Sequence, residues 1–224
     1  MLESVSTGGQ HRPPTHIMPD FNPMELLSIF ENKRQIQVIE RPPNSEISSY
    51  LQQVSARLGN GFRHILRPAD AHLEALEKAL RLPEASGKAA LLAEISLLVN
   101  LYADLLDCPQ VAIRLEVLQH AMCPKFHIDR TGIRLLCTYV GPGTEWLEEH
   151  FCHREALTRT HASLEAFHAD LILHPQGVRQ AAQHALVLLK GSRWQGNGHA
   201  GVIHRSPEIA PGSTRVILAL DAMW

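Results

Sequence analysis

Two features that would point directly to a compartment or a partner are missing from this 224-residue sequence: paired cysteines and an excess of charge. The four cysteines, Cys108, Cys123, Cys137 and Cys152, follow no CxxC spacing, which argues against a zinc ribbon or a dithiol redox motif. No apolar signal segment precedes them: MLESVSTGGQHRPPTHIMPD is polar and carries Pro and Gly, so residues 1–30 are expected to form a disordered leader. Unpaired thiols behind such a leader suit a reducing cytoplasm. A net charge of −2 and a pI near 6.7 leave no electrostatic footprint for nucleic acid. The longest apolar stretch, 89–106, is interrupted by Glu94, Asn100 and Asp104, so no membrane span is expected. No internal repeat or low-complexity tract is visible. What remains as partners are small molecules and proteins.

What is present is a change of hydrophobic period midway along the chain. Residues 44–107 read as helical. Asn44 or Ser45 caps a helix over 46–58 with Ile47, Leu51, Val54 and Leu58 on one face, ended by Gly59-Asn60-Gly61. A second helix starts near Pro68, buries Leu73, Leu76 and Leu80, and stops at Pro83. A third, 88–106, is apolar around most of its circumference and so is buried on more than one side. After Pro109 the period becomes two. The run QVAIRLEVL, 110–118, alternates Val111, Ile113, Leu115 and Val117 with Arg114 and Glu116. Further strands are expected over 123–129, 133–140, 185–189, 201–204 and 215–221, with a short one at 36–39; residues 143–180 read as mixed. Helices followed by strands in close succession make an α+β fold, and the strand order suits a jelly roll.

The candidate site lies in CPKFHIDRTGIRLLCTYVGPGTEW, 123–146. In an extended segment residues i and i+2 point to one side, so His127 and Asp129 present an imidazole and a carboxylate to one point. His168-x-Asp170 repeats the bare motif, but no strand and Gly-Pro-Gly turn follow it. A third ligand stands in GVIHRSPEIAPGSTRVILALD, where His204 ends one apolar run and Arg215 opens the next after ten intervening residues. Two histidines and one carboxylate, with the other positions open, make the facial triad of non-haem iron(II) oxygenases. His127, Asp129 and His204 are therefore the candidate metal-binding and catalytic residues. Arg215 alternates with Ile217 and Ala219 and so points inward, where it requires an anion: an oxo-acid or a protein carboxylate. Cys123 is either a further metal ligand, which would favour zinc, or an apolar thiol. Trp146 and Trp194 stand beside glycine-containing loops as candidates for a pocket mouth, and Lys190 either reaches an anion or snorkels to solvent.

The pattern His-x-Asp, a distant His and then an Arg resembles the 2-oxoglutarate/iron(II) oxygenase superfamily. That resemblance implies a double-stranded β-helix (jelly-roll, cupin-like) fold, with 2-oxoglutarate and Fe(II) as cofactors and Arg215 pairing the distal carboxylate. The substrate would be a small molecule or a protein side chain. Many members carry a hydroxyl residue two positions after the arginine, where this chain has Ile217, so that contact must come from elsewhere, with Thr138, Tyr139 and Thr214 as candidates. The blocks FHIDRTGIRLLCTYVGPGTEWL, LLKG, GVIHRSP and RVILALDA also resemble a bacterial family defined by a domain of unknown function, over 36–222. Its members' association with zinc-responsive genes implies Zn(II) as the alternative metal. Two readings stand beside the oxygenase: a non-catalytic zinc-binding or zinc-homeostasis protein, and a cupin-like binding module without turnover.

Overall fold

The computed structural model describes residues 20–224, so the expected leader lies outside the described residues as far as 19. Its last part is not a leader. Pro23–Phe30 forms a 3-10 helix capped by the Asn22 side chain, and Leu26 and Ile29 are buried from it into the main core.

Four α-helices and nine strands follow: β1 (Ile36–Ile39), α1 (Ser45–Leu58), β2 (Gly61–Leu66), α2 (Leu73–Leu80), α3 (Lys88–Leu106), β3 (Gln110–Leu118), β4 (Ile133–Val140), β5 (Glu145–Leu147), α4 (Leu164–Leu171), β6 (Val178–Gln180), β7 (Leu186–Lys190), β8 (His204–Arg205) and β9 (Arg215–Met223). Helix α1 begins where Asn44 Oδ1 accepts from the backbone N–H groups of Glu46 and Ile47, and ends at Gly59 with φ +59°. The segment from Pro68 is a 3-10 turn, Pro68–Asp70, and α2 starts only after His72. By length and composition α3 could cross a membrane. Here it is a core helix, with Leu91, Ile95, Val99 and Tyr102 fully buried and Lys88 paired with Glu77 and Glu84 at its start.

The strands form two antiparallel sheets. The larger runs in the order β1-β7-β4-β9-β3-β2 and the smaller β6-β5-β8. Alternation along the large sheet sorts its residues cleanly. Val216, Leu218 and Leu220 of β9, with Ile113 and Leu115 of β3, join α1, α2 and α3 in one core. The opposite face carries Arg215, Ile217, Ala219 and Asp221, set by register against Leu118, Glu116, Arg114 and Ala112 of β3. On β4, Asp221 stands opposite Arg134, Ala219 opposite Leu136 and Ile217 opposite Thr138. A second apolar cluster, with Leu136, Val187, Leu189, Val202 and Ile217, lies on this face, packed against Trp146 of β5. A third, centred on Phe126, Leu147, Phe167 and Ile203, packs under the excursion that joins β5 to β6. Trp146 is thus packing between layers, and Trp194 packs against Phe30 with the Lys190 ammonium near its ring.

Several expectations need correction. Cys123–Asp129 is not a strand: Pro124 cannot donate to a ladder, and only His127 makes a bridge, to His204. Of 201–204 only His204 is in a strand. The mixed stretch 143–180 resolves into β5, three 3-10 turns, α4 and β6. Strand β2 escapes the sequence pattern, because GFRHIL leaves Arg63, His64 and Ile65 exposed at the edge of the sheet and so lacks an apolar face of its own.

Candidate metal and anion site

The loop before β4 is fixed by backbone bonds, which is what lets an irregular segment hold ligands. His127 and His204 exchange both of their N–H···O=C bonds, each 3.0 Å, although 77 residues separate them. The Asp129 carbonyl accepts from the Ser192 N–H at 2.8 Å and from its hydroxyl at 3.2 Å. Gly191 makes that contact possible, since a Cβ there would lie 2.6 Å from the Asp129 oxygen and 2.4 Å from that of Thr131.

The side chains of His127, Asp129 and His204 then converge, with one ligand atom from each within 4.8 Å of the others. Asp129 Oδ1 is 3.5 Å from His127 Nε2, and Oδ2 is 3.2 Å from His204 Nε2. The other nitrogen of each ring faces a backbone carbonyl: His127 Nδ1 is 2.9 Å from the Lys125 oxygen and His204 Nδ1 is 3.1 Å from that of Val202. Each Nδ1 therefore carries the proton, and in the neutral rings both Nε2 lone pairs aim at carboxylate oxygens. A cation among them, or a proton, relieves that crowding of lone pairs. Hydrogen bonding to Asp129 raises the His127 pKa above its ordinary value despite partial burial. Burial alone would raise Asp129, but hydrogen bonds with His127 and His204 and the Arg134 charge hold its carboxyl far below the usual range. The donor set, two imidazoles and one carboxylate on one side, fits a first-row divalent metal.

These three line a cavity of about 250 Å³ together with Arg215, Thr144, Ser206, Ile217 and Cys123. Arg215 is 1% exposed, and among the described residues no carboxylate pairs with it. Its Nε donates to the Pro142 carbonyl at 2.8 Å, one terminal nitrogen to Thr144 Oγ1 at 3.0 Å and Thr138 Oγ1 at 3.3 Å, and the other reaches Ser206 Oγ at 3.5 Å. Burial pushes its pKa down to about 10, only partly opposed by the charge of Glu145, whose carboxylate is engaged by Arg205 at 2.6 Å. A guanidinium so placed is a ready seat for an anion.

The remaining predicted residues divide. Thr138 belongs to the arginine's surroundings. Tyr139 does not: the next residue on a strand points to the opposite face, and its hydroxyl donates to Glu94 on α3 at 3.2 Å. Thr214 lies outside this cavity, in clefts on another part of the surface. Cys123 lines the cavity, but its side chain is exposed and its sulfur is not among the converging atoms. His168 and Asp170 sit on α4, where positions two apart diverge; His168 packs on Phe126 and Phe167, while Asp170 pairs with His153, His161 and Arg159. Sequence reasoning missed Thr144, Ser206 and Arg134. For Arg134 a signal existed, a lone charge in the apolar strand IRLLCTYV. Thr144 and Ser206 lie in loops, where no periodicity marks them.

The described fold has a counterpart among solved structures. It is similar to the crystal structure of the rice dioxygenase for auxin oxidation, with a TM-score of 0.51 and 16% identity over 84% of this chain and 73% of that one. Other similar structures are the dioxygenase for auxin oxidation 1 of Arabidopsis thaliana in complex with 2-oxoglutarate (TM-score 0.42, 12% identity, 90% and 76% of the two chains) and HygX of Streptomyces hygroscopicus with nickel and 2-oxoglutarate (0.44, 13%, 90% and 86%). The chain itself belongs to the DUF1826 family, described as a protein of unknown function, whose model matches residues 20–221. No curated protein matches the sequence.

Proposed function

We propose that this protein is a 2-oxoglutarate-dependent iron(II) oxygenase. The observation that carries the reading is the pairing, in one small cavity, of a two-histidine, one-carboxylate cluster with a buried arginine that has no carboxylate partner among the described residues. On this reading the two antiparallel sheets are the walls of a double-stranded β-helix, and the helices of the N-terminal half brace its large sheet from behind. Residues from about 20 onward form that single domain.

His127, Asp129 and His204 would hold iron, leaving positions open for the oxo-acid and dioxygen. Bound there, iron would supply the coupled oxidation in which dioxygen gives one oxygen atom to 2-oxoglutarate, which loses carbon dioxide to become succinate, and the other to a substrate C–H bond, which becomes C–OH. The chain's own residues do the positioning. Arg215 takes the distal carboxylate as a charge-assisted pair, and Thr144 and Thr138, which accept from it, each keep a hydroxyl proton for the same anion. These two threonines supply the hydroxyl that Ile217 cannot offer. A cavity of about 250 Å³ falls below the ~300–1,000 Å³ of sites for drug-sized ligands, and so suits a small dicarboxylate. The substrate, a small molecule or a protein side chain, would then approach from outside this cavity.

The zinc-handling reading uses the same three donors. It is less well supported, because the Cys123 thiol is outside the cluster and a zinc carrier has no use for Arg215. Anaerobic titration of the iron-loaded protein with 2-oxoglutarate separates the two. An oxygenase shows a weak visible charge-transfer band and binding by calorimetry, both lost in Arg215→Met with metal content unchanged. Iron-loaded protein with neither signal rules the oxygenase out.

A further inference from the structure

The triad's carboxylate is held by an ion-pair bridge that crosses the large sheet. Arg134, the second residue of β4, stands directly opposite Asp221 on β9, and its Nε and one terminal nitrogen grip both oxygens of Asp221, at 2.8 and 2.7 Å. That fork leaves the other terminal nitrogen pointing at Asp129 Oδ2, 2.5 Å away. All three side chains are largely buried. Arg114 of β3 adds a longer contact to Asp221 at 3.4 Å, so the anchor is itself anchored. A planar fork braced on one carboxylate has little freedom to follow a second, and it therefore fixes where the second must be.

We infer that Arg134 and Asp221 form a clamp that orients Asp129 for the metal; both are positioning residues of the proposed site, and the inference rests on the triad being a metal site. By occupying a lone pair on Oδ2, Arg134 restrains rotation of the carboxylate about its Cβ–Cγ bond and leaves Oδ1, which faces His127, free. Orientation and charge act with opposite signs here, which makes the role testable. A guanidinium beside the site repels a dication, so on Coulomb's law alone its removal tightens metal binding. If its work is to hold Asp129 in place, removal loosens metal binding despite that relief.

The test is titration of the metal-free full chain with Co(II) alone, followed by calorimetry and by the cobalt visible bands, with thermal melting of each metal-free variant as the control for folding. Wild type should bind one Co(II) per chain, and His204→Ala should abolish it. Arg134→Met should bind about 10–100-fold more weakly, the usual cost of losing a partner behind a metal ligand. Arg134→Lys, which keeps the charge but not the fork, should fall between and show shifted cobalt bands. Arg134→Met that binds as tightly as wild type, or more tightly, overturns the clamp while leaving the metal site standing. If Arg134→Met does not fold, Arg134→Lys decides: unchanged affinity and bands overturn the clamp, weaker binding supports it. Wild type that binds no Co(II), or binds it equally after His204→Ala, overturns the metal reading itself.

Discussion

Two arginines bury their guanidinium groups on opposite faces of the large sheet, and the fold treats them in opposite ways. Arg41, on the helix side, ion-pairs with Glu94 of α3 and also donates to the His184 carbonyl at 2.6 Å. Burial would lower its pKa, but the hydrogen bond and charge of Glu94 outweigh that and raise it. Arg215, on the cavity side, has only a carbonyl and hydroxyls as partners among the described residues, and burial brings its pKa down to about 10. The same side chain is neutralised where it builds the fold and, among the described residues, left without a carboxylate where, on the proposed reading, a ligand would provide the missing charge. An uncompensated buried charge costs stability, so its presence is a mark of function.

The largest effect expected from this contrast is on Glu94. Glu94→Gln leaves Arg41 with only its longer carboxylate contact, to the exposed Asp20 at 3.4 Å, and should cost about 3 kcal/mol, roughly 6–12 °C in Tm, measured by thermal melting. Arg215→Met, by the same logic, should leave the metal-free Tm nearly unchanged or raise it. If both variants destabilise equally, the contrast between the two arginines fails.

Next in size is the stabilisation by the missing anion. Iron-loaded wild type with 2-oxoglutarate at about a hundred times its Kd should gain about 2.7 kcal/mol. Arg215→Met should gain nothing under the same conditions, read by melting under argon.

A pH test sharpens the helix side further. His184 is 1% exposed; its Nδ1 accepts from the Asn44 N–H at 3.4 Å and its Nε2 lies 2.8 Å from Ser48 Oγ, an arrangement for the neutral ring. Burial, aided by the Arg41 charge, pushes its pKa down to about 4. The unfolded chain, with an ordinary histidine near 6.5, then binds the proton first. His184 thus contributes stability that is fully present above pH 6.5 and is lost as pH falls toward 4, at most about 1.4 kcal/mol per pH unit. Denaturant melts between about pH 7 and 4 should show this slope, and His184→Gln should flatten it.

The smallest effect concerns a single hydroxyl. Thr144→Val should weaken oxo-acid binding by about 1 kcal/mol, near fivefold by calorimetry, with metal affinity unchanged. Equal loss of both would place Thr144 in the scaffold instead.

The triad and Arg215 are legible in the sequence because their signals are local. His127 and Asp129 stand two apart before a strand, and Arg215 keeps period two with Ile217 and Ala219. The large strands β3, β4 and β9 are legible for the same reason. What the sequence hides depends on distant neighbours. Tyr139 and Thr138 are adjacent and both carry a hydroxyl, and only the pairing of β4 with β9 decides which shares a face with Arg215. Glu94 reads as an interruption in an apolar helix until Arg41, 53 residues earlier, is placed against it. Strand β2 borrows its order from β3, and the loop at His127 borrows its shape from His204.

That last borrowing has a consequence for repair. The mutual backbone bonds of His127 and His204 hold the two segments together in addition to the contacts of the rings. Cutting His127 back to glycine removes a donor but leaves a vacancy of imidazole shape, bordered by the Lys125 carbonyl that oriented the original ring. Free imidazole in the buffer has the size, the lone pair and the N–H to enter it. On the proposed reading, imidazole added to His127→Gly should restore the Co(II) binding that this variant loses.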